Sequence, residues 1–168
     1  ATDGKSSLEE MAERAMDMGY RYLANTEHTK RVHVAGGLDE EGMKKQIVKI
    51  EKLNRKFHNF RILKSAEVDI LKDGSLDLPG DILEQLDLVL GSIHYHTSLS
   101  AGEQTERILK AMPNPDFNIL AHPTGRLINR REPYRVDMEK ILEEAARSGC
   151  PGSDRSRARG CTRTAHGA

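Results

Sequence analysis

The sequence predicts an α/β protein with parallel strands and outer helices, as an open sheet or a barrel. Three observations carry this. Apolar runs alternate with stretches of helical periodicity in the order helix, strand, helix, strand, short helix, strand, helix, strand, helix. Such alternation calls for parallel strands joined by right-handed crossovers. The run Leu86 to Ile93 is apolar at nearly every position, as expected of a strand covered on both faces. At 168 residues the chain suits one domain with a real core. It falls short of the roughly 250 residues of a complete eight-unit barrel.

Ser7 with Glu10 forms a capping box, and Leu8, Met11, Ala12, Ala15 and Met18 keep helical spacing until Gly19. The strand Tyr20 to Asn25 follows. A second helix is predicted from near Asp39 to about His58, burying Met43, Ile47, Ile50 and Phe57. Phe60 to Ala66 reads as the next strand. The polar excursion Asp69 to Pro79 carries an Asp73-Gly74 turn signal and leads to a short helix with Ile82, Leu83 and Leu86. After the strand Leu86 to Ile93, Ser100 with Glu103 caps a helix through Ile108, Leu109 and Met112 that Pro113 ends. Phe117 to Ala121 is the last strand. The final helix opens at Asp137 and is expected to bury Met138, Ile141, Leu142, Ala145 and Ala146.

Charge is abundant but balanced, 26 basic against 26 acidic residues, so composition forces neither a nucleic-acid nor a membrane reading. The balance hides a split. Residues 1–150 carry 22 basic and 25 acidic side chains, whereas 151–168 carry four Arg and one Asp. That Arg- and Gly-rich tail, 150–168, has no Leu, Ile, Val, Phe or Met and is expected to stay disordered. Cys150 and Cys161 are the only cysteines, which agrees with a reducing cytoplasm and argues against a disulfide framework. No apolar run approaches the ~20 residues of a membrane span, and no signal-peptide pattern opens the chain. The first residue is Ala rather than Met, so the chain reads as a fragment or a processed product.

Each predicted strand stops at a residue able to bind a metal ion. The first leads into Glu27 and His28, the second into Glu67, the third into His94 and the fourth into His122. The carboxyl ends of parallel strands share one rim, so ligands about a hundred residues apart in sequence can converge there. Imidazole nitrogens with a carboxylate oxygen suit Zn, Mn or Fe better than Ca or Mg. Any single histidine is more simply a packed or exposed residue; the repeated placement is what makes a metal centre the better reading. Glu67 can bridge two ions, and Asp69 is its neighbour on the same face. His96 stands two residues beyond His94 and is a second ligand, a phosphate contact or the first loop residue. Arg126 can fork onto a phosphate or pair with Glu132. Lys30 and Arg31, next to Ala35-Gly36-Gly37, are phosphate contacts or solvated loop charge. His33 and His58 read as ordinary loop and helix-end residues.

These residues resemble a PHP domain, the polymerase and histidinol phosphatase superfamily. The similarity is strongest to the PHP region at the carboxyl end of bacterial and archaeal family X DNA polymerases, and it covers roughly residues 1–149. It rests on Thr26 to Arg31, Ala35 to Asp39, Glu67 to Leu71, Asp73 to Pro79, Gly91 to His94, His122 to Arg126 and Arg131 to Tyr134. The resemblance implies a distorted barrel of seven β/α units, incomplete in this chain, with a trinuclear site for Mn, Zn or Fe. It implies 3'-5' exonuclease-type hydrolysis of DNA phosphodiesters, with DNA 3' ends as substrate and polymerase domains in the parent protein. Carried over by position, His28, Glu67, His94 and His122 are metal ligands, with Glu67 as the bridge and His28, Glu67 and His94 as the catalytic set. Asp3 matches the Asp-Gly that closes the first family motif and is a further ligand candidate.

The chain departs from the pattern in three places. The His-x-His strand expected just before Ala1 is absent, Glu27 stands where Asp is usual, and an Asp-x-His pair expected after Gly149 is replaced by the Arg-rich tail. A shifted reading frame after Cys150 is the expected cause, and little or no activity is expected of residues 1–168 alone. Two alternatives stay open: a stand-alone phosphatase of the histidinol-phosphatase type, and a non-catalytic remnant that supports a polymerase.

Overall fold

The computed structural model describes residues 4–147. Asp3, Cys150 and the Arg-rich tail lie outside them. The described residues hold four parallel strands in the order β1-β2-β3-β4, with flanking helices. The chain divides into two compact units, one of residues up to Glu67 plus Leu78–Leu88, the other of Val68–Asp77 plus the residues from Val89 onward.

In the first unit, helix α1 (Leu8–Asp17) begins with the predicted capping box, both halves of which form. Its buried stripe is Leu8, Ala12 and Ala15, whereas Met11 and Met18, expected inside, are about half exposed. Gly19, at φ +83°, turns the chain into β1 (Tyr22–His28). Helix α2 (Glu40–Asn54) is capped by Asp39, whose carboxylate accepts from the Gly42 amide at 2.8 Å. It ends four residues earlier than predicted, so Leu53 completes the buried stripe and Phe57 packs from beyond the helix. Asn54 explains that boundary. Its side chain accepts from Ile62 N and donates to Ile62 O, both at 2.8 Å, and so ties the helix end to β2 (Arg61–Asp69). Strands β1 and β2 pair in parallel from Tyr22↔Arg61 to His28↔Glu67. The core beneath them joins Leu8, Ala12, Ala15, Ile50, Leu53, Phe60 and Ile62. The short helix α3 (Gly80–Leu83) buries Ile82 and Leu83 as predicted.

In the second unit, β3 (Leu88–Ser92) pairs in parallel with β4 (Ile119–Leu120). β4 is shorter than the predicted five residues, yet Asn118 N and Ala121 N still donate to Val89 O and Gly91 O on either side of it. Helix α4 (Ala101–Ala111) carries the second complete capping box and packs against α5 (Met138–Arg147). In α5 only Ile141 is fully buried; Leu142 and Ala146, expected inside, are exposed. Ile70, Ile93, Ile108, Met112, Phe117, Leu120 and Tyr134 build this core with Ile141. Gly91 is required here. A Cβ would sit 2.0 Å from the Phe117 ring.

The predicted α/β class with parallel strands and outer helices is what the described residues form. No helix among them is long and apolar enough to cross a membrane.

Candidate metal centre

Parallel pairing places the first two candidate ligands directly opposite each other. His28, the last residue of β1, is the register partner of Glu67 on β2, and their Nδ1 and Oε2 atoms lie 4.0 Å apart with both side chains partly open to solvent. Glu67 is not the end of its strand, which runs on to Asp69. Glu27 points the other way, as alternation along a strand requires. Its buried carboxylate accepts from Asn25 at 2.9 Å and from Gln46 of α2 at 3.1 Å, so it braces the strand against the helix layer.

The loop after His28 folds back onto the strand. Leu38 N donates to His28 O at 2.8 Å, and Gly37 passes so close that a Cβ would meet Thr29 O at 2.0 Å. This close approach gives Ala35-Gly36-Gly37 its purpose. On the same loop Lys30 pairs with Glu40 at 3.6 Å, half exposed, while Arg31 is partly buried.

The second unit supplies His94, His122 and a residue that the sequence did not single out as a site residue. Asp69 is fully buried, and its Oδ1 accepts the His94 amide at 2.9 Å and lies 3.4 Å from His94 Nδ1. Ser92 Oγ stands 3.2 Å from the same nitrogen. Both ring contacts fall on Nδ1, the kind of arrangement that orients an imidazole for ligation through its other nitrogen. Its signal was present in the sequence: Asp69 lies two residues after Glu67, on the same strand face. The His122 ring meets His94 edge to face, centroids 5.3 Å apart.

His122 has φ +28° and opens a turn closed by Gly125 N on its carbonyl at 2.8 Å. Tyr134 lies beneath that turn; a Cβ on Gly125 would meet its ring at 2.4 Å. Burial pushes the Tyr134 phenol up to about 12. Arg126, next in the chain, is exposed. His96 does not share a strand face with His94, because β3 ends at Ser92. It is a loop residue at φ +55°, and its carbonyl accepts from Gln104 at 2.7 Å.

Each unit thus carries candidate ligands of its own, His28 with Glu67 in the first and His94 with His122 in the second. Asp3 falls outside the described residues. Imidazole nitrogens and a carboxylate oxygen are donors that suit a divalent Mn, Zn or Fe ion.

No protein-family model matches the chain. It is 43% identical over 147 residues to a DNA polymerase/3'-5' exonuclease of Bacillus subtilis, covering 88% of this chain and 26% of that protein. It is 31% identical over 148 residues to a probable phosphatase of Thermoanaerobacter sp. strain X514, covering 86% of this chain and 56% of the other. A probable phosphatase of Clostridium novyi is also 31% identical, over 143 residues, with 83% and 54% covered. The chain therefore spans about a quarter of the polymerase and about half of the phosphatases. Alignment over most of this chain with a polymerase/exonuclease on one side and phosphatases on the other, together with strand-end histidines and carboxylates, identifies a sequence that fits a PHP-type domain of the family X polymerase kind.

Proposed function

We propose that this chain carries the metal site of a phosphoesterase that hydrolyses DNA phosphodiesters from a 3' end, within a polypeptide that also holds polymerase domains. The observation that supports it best is the direct pairing of His28 with Glu67 in the first unit; in the second, an Asp69 carboxylate orients His94. The name of the Bacillus subtilis relative points to the 3'-5' direction and to the polymerase context. We read the four strands as part of a seven-unit barrel, and His28, Glu67, His94 and His122 as ligands of a multinuclear Mn, Zn or Fe site. Asp3 is one more ligand in this reading. The low cysteine content fits the cytoplasm.

When bound, divalent ions supply a lowered pKa for water and stabilise charge on the phosphoryl group. The protein's own part is orientation. Glu67 presents two oxygens at the strand rim, and Asp69 with Ser92 fixes the His94 ring. Arg126 offers a planar fork to phosphate oxygens. Lys30 and Arg31 contribute positive charge, since an exposed pair such as Lys30 with Glu40 is worth only about 0–1 kcal/mol and opens readily for a phosphate. His96, in the loop after His94, is a further phosphate contact.

The test is release of nucleotides from 3'-labelled single-stranded DNA by the intact parent protein with added manganese. Activity that disappears with chelator and falls at least about 100-fold in His94→Ala is expected. Equal activity in His94→Ala and His122→Ala would refute the reading. The phosphatase relatives favour a second reading, hydrolysis of a small phosphomonoester. Faster turnover of a monoester than of the DNA strand would select it.

A further inference from the structure

Beyond the metal ligands, residues 126–135 hold four arginines against one acid, Glu132, in a chain whose charges balance only in total. They sit on a built hairpin. Leu127 N donates to Arg131 O at 3.0 Å and Arg131 N to Leu127 O at 2.9 Å, while Asn129 at φ +60° makes the tip. The stem is fastened twice: Arg131 Nε donates to Gly125 O at 2.8 Å, and Tyr134 N donates to Thr124 O at 3.0 Å. Arg131 is therefore structural. Arg126, Arg130 and Arg135 are exposed and have no ion pair among the described residues. Elsewhere exposed cations are commonly paired, as in Lys45 with Glu41 at 2.7 Å and Lys110 with Glu106 at 2.9 Å. Between the arginines, Leu127 and Ile128 are 49% and 64% exposed.

A hydrogen-bonded hairpin with unpaired guanidinium forks around exposed aliphatic side chains matches a chain of phosphates whose bases are unstacked. Arginine forks fit phosphate oxygens, and guanidinium planes accept base faces, with aliphatic side chains adding apolar contact. Two aliphatic residues are too little apolar surface to anchor a membrane by themselves. We propose that the Leu127–Arg131 hairpin, with Arg126 at its base and Arg135 beyond it, grips the backbone of a single-stranded DNA segment next to His122. The assignment rests on the phosphodiesterase reading of the site. It adds a binding surface four residues from His122, which sorts long strands from small phosphoesters.

The experiment follows fluorescence anisotropy of an oligothymidylate of about 20 nucleotides with the full chain in chelator, so that no metal chemistry contributes. Salt is varied between about 50 and 200 mM, because each phosphate contact adds about 0.7 to the logarithmic salt slope on a single strand. Arg130→Gln with Arg135→Gln should flatten the slope by about 1.4 and weaken binding about 10-fold or more, while a control, Lys49→Gln on α2, changes neither. In the intact parent, metal-dependent hydrolysis of a small phosphodiester should be unchanged by the same double substitution. An unaltered slope and affinity would overturn the proposal, as would equal, arginine-dependent binding of a blunt duplex or preference for anionic lipid vesicles over DNA. Loss of strand binding, with an intact parent that hydrolyses no phosphoester with any metal, would sustain the grip and defeat the functional reading. Retained hydrolysis with arginine-independent binding would do the reverse.

Discussion

Asp69 has no exposed surface and directs its carboxylate at both the amide and the ring of His94. Replacing it by Asn keeps the size and one acceptor but removes the charge. Asp69→Asn is expected to weaken manganese binding by about 10–100-fold with unchanged far-ultraviolet circular dichroism. Calorimetric titration checks it, and unchanged affinity would remove Asp69 from the site. Tyr134 gives a second test. Its hydroxyl is buried without a hydrogen-bond partner, and burial raises the phenol to about 12 from 10.0. The native state therefore holds the phenolic proton after the unfolded chain has lost it. Stability contributed by this group is complete below pH ~10 and drains away as pH rises toward ~12, by on the order of 2–3 kcal/mol. Tyr134→Phe should remove that part of the alkaline loss and leave stability at neutral pH equal or higher, as urea unfolding at several pH values will show.

Among the elements, β3 and β4 depend on one side-chain-free position. With Phe117 lying over Gly91, Gly91→Ala forces a ring or a strand to move and should cost about 1–3 kcal/mol in urea unfolding. A cost below about 0.5 kcal/mol would show that the ring moves freely. Arg107 plays the corresponding part for the loops. Fully buried on α4, its guanidinium donates to Ile70 O, Leu71 O and Tyr95 O, and so ties the end of β2 to the segment after His94. Element boundaries were legible where local chemistry set them. Ser7, Asp39 and Ser100 cap helices at the predicted places because a side-chain oxygen satisfies a free amide within the same turn. They were not legible where a distant partner decides: Asn54 ends α2 by bonding to Ile62, which no periodicity announces. Met11, Met18, Leu142 and Ala146 follow helical spacing yet face solvent, because periodicity gives an apolar stripe and not what covers it.

For the molecule as a whole, an ion that binds only the folded protein adds stability by mass action. At a free concentration about 100 times its dissociation constant this is about 2.7 kcal/mol. A chain of this size should then melt roughly 5–10 °C higher with manganese than with chelator. Much of the candidate site was readable from sequence, since β1, β2, β3 and β4 each carry a ligand type at or near the carboxyl end. The contact of Asp69 with His94 and the partnering of Glu27 were not, because each depends on which strand or helix lies alongside. The most direct measurement is a manganese titration of the wild type, His28→Ala, His94→Ala and the double variant. One shared site predicts that either single change abolishes the same tight binding event and that the double change costs no more. Two separate events, each lost in only one variant and adding in the double, would contradict it.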